Sequence, residues 1–375
     1  MGKIYTALGL MSGTSGDGVD ASLISSDGID QYSEITNRYF KYDQKIYENL
    51  HNLRAKILKF EDLQNNLKEI NKLEKEITIF HSKVANKVLE TIDKKVDFIG
   101  FHGQTIYHNS LEKKSEQIGD GNLLSQLTKK NVIYDFRQND IRKGGEGAPL
   151  APIFHKLIVK QNKIELPVCI LNIGGIANAT VIDEYDKNSF LSRDLGPGNC
   201  LIDEWIRMNT KGKFDLNGEI AKKGNINDLI LNQALDNFDN KPNQNTLSFD
   251  IKDFSLGFVR GLNLEDGAAT LTDFTGRVIG AGLFSFFSKS REKLRKILIC
   301  GGGRKNNTLI ERIKNSTQKN IVIQPIDDYN IDGDYVESQA FAYLAIRSYL
   351  GLPISFPKTT GCKEPAIGGV LVKNY

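Results

Sequence analysis

The feature that most constrains what this chain can fold into is a layout used twice. Residues 4–10 form an apolar run, residues 12–18 a turn built from Gly, Ser, Thr and Asp, and residues 19–24 a second apolar run. Short apolar runs on either side of such a turn read as a hairpin of buried strands with a polar tip. From Gln44 to about Asp93, apolar residues such as Ile46, Leu50, Leu53, Ile57 and Leu58 recur at the three- and four-residue spacing of a helix. Residues 96–101 return to strand and end in His102-Gly103-Gln104-Thr105. The second half opens in the same way, with a strand at 168–172, the turn Gly174-Gly175 and a returning strand at 177–182. A helical stretch at about 280–293 then precedes a strand at 296–300 that ends in Gly301-Gly302-Gly303. One layout used twice predicts two related α/β domains facing each other across a cleft. A length of 375 residues gives each domain enough chain to bury its own core. The Gly- and Pro-rich residues 142–152 mark the expected boundary, giving lobes 1–145 and 146–375, with helix 337–350 long enough to pack back onto the first lobe.

Charge narrows the partners. The 49 basic and 46 acidic residues leave a net charge of only +3, so no strong field of one sign is available to hold nucleic acid. Basic residues gather in 56–95 and 289–296, interleaved with Glu and apolar residues as on solvated helix faces. Cys169, Cys200, Cys300 and Cys362 lie far apart, which argues against a zinc site and a disulfide framework and for a reducing cytoplasm. The first apolar run is too short for a signal-peptide core, and no run approaches membrane-spanning length. A cytoplasmic protein with no membrane partner is expected.

Three stretches can carry chemistry. Gly13, Gly16 and Gly18 lack a Cβ, so the first hairpin tip can bring backbone N–H groups to an anion, with the Thr14 and Ser15 hydroxyls as further donors. Asp17 and Asp20 flank Val19 in the same stretch and could hold a hydrated magnesium ion, which prefers few carboxylates and keeps its waters. Taken alone, such a stretch is more often simply a turn. A P-loop is excluded, because no G-x-x-x-x-G-K-[ST] occurs. Gly301, Gly302 and Gly303 would let a flat purine approach the backbone, or they form a ligand-free strand-to-helix turn. Asp194 lies in Arg193-Asp194-Leu195-Gly196-Pro197-Gly198-Asn199, where Pro and Gly would present a carboxylate at a loop tip, as a general base requires. The alternative, a cap for the following helix, suits Asn199 better. His102 and His155 have no partner at metal-ligand spacing, and His102 reads as a satisfied turn or interdomain residue.

Residues 9–20, Gly-Leu-Met-Ser-Gly-Thr-Ser-Gly-Asp-Gly-Val-Asp, resemble the N-terminal signature of the anhydro-N-acetylmuramic acid kinases. Further blocks match in order: 101–105 (FHGQT), 135–137 (DFR), 144–150 (GGEGAPL), 171–178 (LNIGGIAN), 194–199 (DLGPGN), 266–272 (DGAATLT), 300–303 (CGGG) and 337–342 (ESQAFA). The resemblance spans nearly the whole chain. It implies a two-domain actin/hexokinase-like (ASKHA) ATPase fold that binds ATP and Mg²⁺ between its lobes, a homodimer, and a role in peptidoglycan recycling. It implies that Asp194 activates water to open the 1,6-anhydro bond while the freed O6 takes the γ-phosphoryl group. Residues 13–20 would then cradle phosphates and magnesium, Gly301 to Gly303 would face the adenosine, and Arg137, Asn199 and Glu337 would touch the sugar. Three positions depart from the family pattern: Gly16 for a larger apolar residue, Leu195 for a small hydroxyl residue, and Thr246-Leu247-Ser248 where a lysine and serine are usual. The rival readings are a kinase for another sugar and an actin-like ATPase with no sugar acceptor.

Overall fold

Tyr5–Met11 (β1) is buried at every position, as expected of a strand covered on both faces of its sheet. The computed structural model in which it lies describes residues 2–185, 190–240, 246–287 and 296–374. β1 turns back antiparallel into Gly18–Ser26 (β2), with Tyr5 opposite Ser26 and Met11 opposite Asp20, and β2 pairs antiparallel with Tyr32–Lys41 (β3). On its other side β1 runs parallel to Phe98–Phe101 (β4). Gln104–Asn109 (β5) and Lys114–Ile118 (β6) form a separate ribbon, and Asn131–Tyr134 (β7) adds parallel to β4.

The second sheet repeats this plan. Val168–Ile173 (β8), Ile176–Ile182 (β9) and Phe190–Pro197 (β10) form an antiparallel meander. Lys296–Cys300 (β11) and Val322–Pro325 (β12) extend it in parallel from β8. Val370–Val372 (β13) edges the first sheet, giving the orders β13-β7-β4-β1-β2-β3 and β10-β9-β8-β11-β12. The shared five-strand order is the duplicated α/β arrangement of the actin/hexokinase-like class.

The chain divides into two compact units, residues 1–164 with 335–375, and residues 165–334. The boundary therefore falls at 164 rather than in 142–152, and the first unit is discontinuous. Two contacts explain this. The helix Pro152–Gln161 buries Phe154 against Tyr32 and Tyr343, with ring centroids 5.0 and 5.6 Å away, and the Gln161 amide exchanges two hydrogen bonds with the Tyr32 backbone. The glycine-rich stretch before it is an internal loop tied down by Asp140.

The helix Val336–Tyr349 lies on β1, β2 and β4 of the first unit. It comes close because Gly9 and Gly100 face it: a Cβ on either would collide with the carbonyl of Ser338 or Phe341. Among the described residues, the helical stretch read over 44–93 resolves into Gln44–Lys56, Asp62–Asn65 and Leu67–Leu89, and Leu58 is exposed in the break between the first two. The helix expected at 280–293 begins earlier, as Leu264–Phe287. Residues 288–293, with Lys289 of the basic stretch, lie outside the described residues.

Candidate active site

In each unit the turns read as candidate site loops follow the carboxyl ends of strands, where open α/β sheets place their ligands. In the first unit these are residues 12–17 after β1, 102–104 after β4 and 135–137 after β7. The tip 12–17 is held from outside. Arg54 donates from Nη1 to the Thr14 carbonyl at 2.6 Å and from Nη2 and Nε to the Thr105 carbonyl at 2.6 and 3.1 Å. Gln104 Nε2 donates to the Gly13 carbonyl at 3.0 Å, and His51 Nε2 lies 3.1 Å from that of Ser15. The buried Ser12 hydroxyl sits within 2.9 Å of the Gly18 carbonyl, Gln104 Oε1 and the Tyr42 hydroxyl.

Gly16 N donates to the Gly13 carbonyl at 3.1 Å and closes the tip as a tight turn. Gly16 takes φ +64, and a Cβ there would press on Leu50 and Arg54. Glycine at this position therefore lets Leu50 and Arg54 pack close against the loop. Asp17 and Asp20 are half-buried, and with burial as the main cause they raise the neighbouring Tyr39 phenol to about 12. Val19 is fully buried in the core, so its side chain faces no ligand.

Asp135 takes φ +56, uncommon outside glycine, and turns the chain so that Phe136 enters the core and Arg137 emerges half-buried. Arg137 donates to His102 Nε2 from Nη2 at 2.9 Å and to the Gly147 carbonyl from Nη1 at 2.9 Å. Glu337 stands in the first turn of its helix, half-buried, one turn before Phe341, whose ring lies 4.6 Å from that of His102. The sequence reading missed Asp140. Its buried carboxylate accepts from Gly147 N at 2.8 Å, Ser355 Oγ at 2.5 Å and Thr360 Oγ1 at 2.6 Å, and so shapes the 144–147 loop.

In the second unit Asp194 does not sit at a loop tip. It lies within β10, buried, beside a bulge that skips one residue between Asp194 and Gly196. Its N–H donates to the Leu247 carbonyl at 2.7 Å, and its Oδ2 accepts from Phe249 N at 2.8 Å. Leu195, the residue the bulge leaves out of register, lies in the core beside Gly282, so this departure concerns packing rather than the carboxylate. Of the third departure, Thr246-Leu247-Ser248 supplies the backbone beside Asp194, while Asn245 lies outside the described residues. Asn199 occupies the cap position of the helix Cys200–Asn209 but makes no side-chain cap. Its Nδ2 instead donates to the Gly174 carbonyl at 3.0 Å, holding the β8–β9 turn.

The three glycines after β11 differ from one another. Gly301 takes φ +79 and donates to the Gly333 carbonyl at 2.8 Å, and a Cβ on Gly301 or Gly303 would collide with Ile173 or Asn172. A Cβ on Gly302 would meet nothing within 4 Å, so Gly302 has the open face. Arg304, absent from the sequence reading, anchors this turn through Asp327 at 2.8 Å and Asp334 at 2.5 Å. Burial pushes both carboxyls up, but the Arg304 guanidinium outweighs it and holds them below their ordinary range. An apolar cavity of about 220 Å³ among Phe238, Phe254, Phe258 and Phe274 has no charged lining and offers phosphate nothing.

Among the described residues no helix is long and apolar enough to cross a membrane. A family model described as anhydro-N-acetylmuramic acid kinase matches residues 5–374. The anhydro-N-acetylmuramic acid kinase of Pelagibacter ubique (strain HTCC1062) is 58% identical over 375 residues, covering all of both chains. That of Zymomonas mobilis subsp. mobilis is 39% identical over 97% of this chain and 98% of its own. Solved structures align more distantly: gluconate kinase from Lactobacillus acidophilus has a TM-score of 0.43 at 10% identity, over 93% of this chain and 90% of that one.

Proposed function

The chain belongs to the anhydro-N-acetylmuramic acid kinase family, and from that premise we propose that it uses ATP to convert 1,6-anhydro-N-acetylmuramic acid and water into N-acetylmuramic acid 6-phosphate. Asp194 is the general base. It takes a proton from the water whose oxygen bonds to the anomeric carbon. The bond from that carbon to O6 breaks, and O6 bonds to the γ-phosphorus as the bond to ADP breaks. Because the leaving oxygen is itself the phosphoryl acceptor, negative charge does not build up on it.

The observation that carries this reading is the setting of Asp194. A buried carboxylate on a strand bulge, with one oxygen fixed by the Phe249 amide, is aimed before substrate arrives. The glycine-bearing tip, its Gly13, Thr14 and Ser15 carbonyls already engaged by Gln104, Arg54 and His51, supports a phosphate role for residues 13–20, and the open face of Gly302 supports an adenosine role for residues 301–303. Asp17 and Asp20, close together around Tyr39, fit a magnesium ion that keeps most of its waters, and such an ion would neutralise phosphate charge. Arg137 and Glu337 are the sugar contacts of this reading. Asn199 contributes by holding the β8–β9 turn rather than as a free ligand. The setting is the cytoplasm of a cell that recycles peptidoglycan, and the enzyme is a homodimer.

The test is ADP release from Mg-ATP with 1,6-anhydro-N-acetylmuramic acid, N-acetylmuramic acid, glucose or no sugar, beside Asp194→Asn. Release should depend on the anhydro sugar and drop about 10²–10⁴-fold in the variant. Equal release without sugar would instead support an ATPase, and release with glucose a kinase for another sugar.

A further inference from the structure

Tyr42 lies in none of the sequence blocks that carry the family resemblance, yet it holds the hairpin tip 12–17 at both ends. At the far end its N–H donates to the Asp17 carbonyl at 2.9 Å. At the near end its hydroxyl lies 2.9 Å from the buried Ser12 hydroxyl, and the direction of that bond follows from a count of protons. Gln104 Nε2 donates to the Gly13 carbonyl at 3.0 Å, which leaves Gln104 Oε1, 2.8 Å from Ser12 Oγ, as an acceptor. The Gly18 carbonyl, 2.7 Å from the same hydroxyl, is an acceptor too. Ser12 has one proton to share between these two, so toward Tyr42 it can only accept, and the Tyr42 hydroxyl donates. The phenol suits this task. Burial pushes it well above its ordinary range, outweighing the Ser12 bond and the Arg54 charge, so it keeps its proton. Its ring is fixed by Phe80 and His81 of the helix Leu67–Leu89, with centroids 4.9 and 6.1 Å away.

With Arg54 on Thr14 and His51 on Ser15, these bonds place a protein partner on the carbonyls of Gly13, Thr14, Ser15, Asp17 and Gly18. A carbonyl oxygen is the negative end of the peptide dipole, and one already engaged by a donor repels an incoming anion less. A tip held in that state before the nucleotide arrives need not be ordered on binding. We propose that Tyr42 is a positioning residue for this tip: its hydroxyl directs the Ser12 proton onto Gln104 and Gly18, and the resulting chain of bonds holds the tip in the shape that takes the phosphates of ATP. This deepens the phosphate role given above to residues 13–20 and rests on it. Tyr42 touches no phosphate itself and acts through the Ser12 hydroxyl.

The experiment measures calorimetric Kd values for adenosine, ADP and ATP with Mg²⁺ in wild type, Tyr42→Phe, Ser12→Ala, the double variant and Ser15→Glu. Tyr42→Phe removes one oxygen and keeps the ring. It should weaken ADP and ATP about three- to tenfold, as expected for loss of a hydrogen bond between neutral groups, and leave adenosine within about twofold. Ser12→Ala should show the same phosphate-dependent loss, and adding Tyr42→Phe to it should cost less than about a further twofold, because the hydroxyl through which Tyr42 acts is already gone. Ser15→Glu puts a carboxylate on the exposed part of the tip and tests the phosphate role itself, with an expected loss of about tenfold or more on ADP and none on adenosine. An equal loss on adenosine and ADP in Tyr42→Phe, an unchanged ratio between them, or a full additional loss in the double variant would overturn the proposal. If Tyr42→Phe does not fold, Ser12→Ala decides it by the same ratio. A Ser15→Glu variant that loses ADP beside a Tyr42→Phe variant that does not would defeat this proposal alone. An ADP affinity untouched by Ser15→Glu would defeat the phosphate role and this proposal with it.

Discussion

The tips of the two equivalent hairpins, β1–β2 and β8–β9, are held by opposite means. In the first unit, side chains from remote elements reach in: Arg54 from a helix, Gln104 from the β5–β6 ribbon, and His51. In the second, the chain just after β10 closes on the turn through its backbone. Gly198 N and Cys200 N donate to the Gly175 carbonyl and Asn199 N to that of Gly174, at 2.8–3.2 Å, with Asn199 Nδ2 as a side-chain clamp. The same strand order can thus carry a loop whose shape depends on distant side chains and a loop whose shape depends on close backbone approach. The first can be undone by deleting a side chain, and the second by adding a Cβ.

The largest expected difference between the units appears on acidification. All five histidines lie in the first unit. Burial depresses His81 and His155 to about 4 and His108 to about 3, and His102 also lies well below its usual value. Above about pH 6.5 neither the folded nor the unfolded form is protonated at these sites, and their contribution to stability is complete. Below it the unfolded chain takes up protons that the folded chain refuses, so stability falls progressively toward pH 4, by an amount on the order of several kcal/mol in total. The depressed carboxyls of Asp327 and Asp334 in the second unit act only at lower pH. The single tryptophan, Trp205, is buried in the second unit with its Nε1 donating to the Leu264 carbonyl, so its emission reports that unit alone. At pH 5, hydrogen exchange should show first-unit peptides losing protection while Trp205 emission is unchanged. A single shared transition would break the comparison.

Next in size is Arg54→Met. It strands the buried-side carbonyls of Thr14 and Thr105 and should cost about 2–4 kcal/mol, read as a lower Tm, with KM for Mg-ATP raised about tenfold or more. Gly198→Ala is its counterpart in the second unit, because a Cβ there would strike the Gly174 carbonyl. About 1–3 kcal/mol of destabilisation is expected from this overpacking, with the larger effect on second-unit exchange. Smallest is Gly302→Ala. With open space around the new methyl group, Tm should hold within about 0.5 kcal/mol of stability. If adenosine lies against this turn, KM for Mg-ATP rises severalfold all the same. A fall in Tm without a change in KM would mark Gly302 as structural only.

The strands legible in the sequence were those buried on both faces, β1, β4, β8 and β11, together with β2 and β9, which return from glycine turns. β3 escaped because it lies at a sheet edge, with most residues half-buried or exposed and no clean period. β10 escaped because its Gly and Pro read as a loop, when the bulge beside Asp194 is what admits them. The candidate site followed the same division. Glycine turns and the Asp194 block stand out because their chemistry is local. Arg54, Asp140 and Arg304 act across tens or hundreds of residues and leave no local mark, and neither does the pairing of His102 with Arg137.

By itself, then, the sequence determined that this is a duplicated α/β protein of the anhydro-N-acetylmuramic acid kinase family and where its glycine turns and the Asp194 block lie in the chain. Those properties reside in local patterns of apolar spacing, turn residues and contiguous motifs. Only the tertiary structure decided that the helix Pro152–Gln161 and the C-terminal segment from Tyr335 complete the first unit, and that Asp194 is aimed from within a strand by the Phe249 amide. It likewise decided that His102, buried and bonded to the Gly103 carbonyl, also meets the Arg137 guanidinium at 2.9 Å. Each of these depends on hydrogen bonds and burial between residues far apart in the chain, and such pairings exist only once the backbone has closed around them.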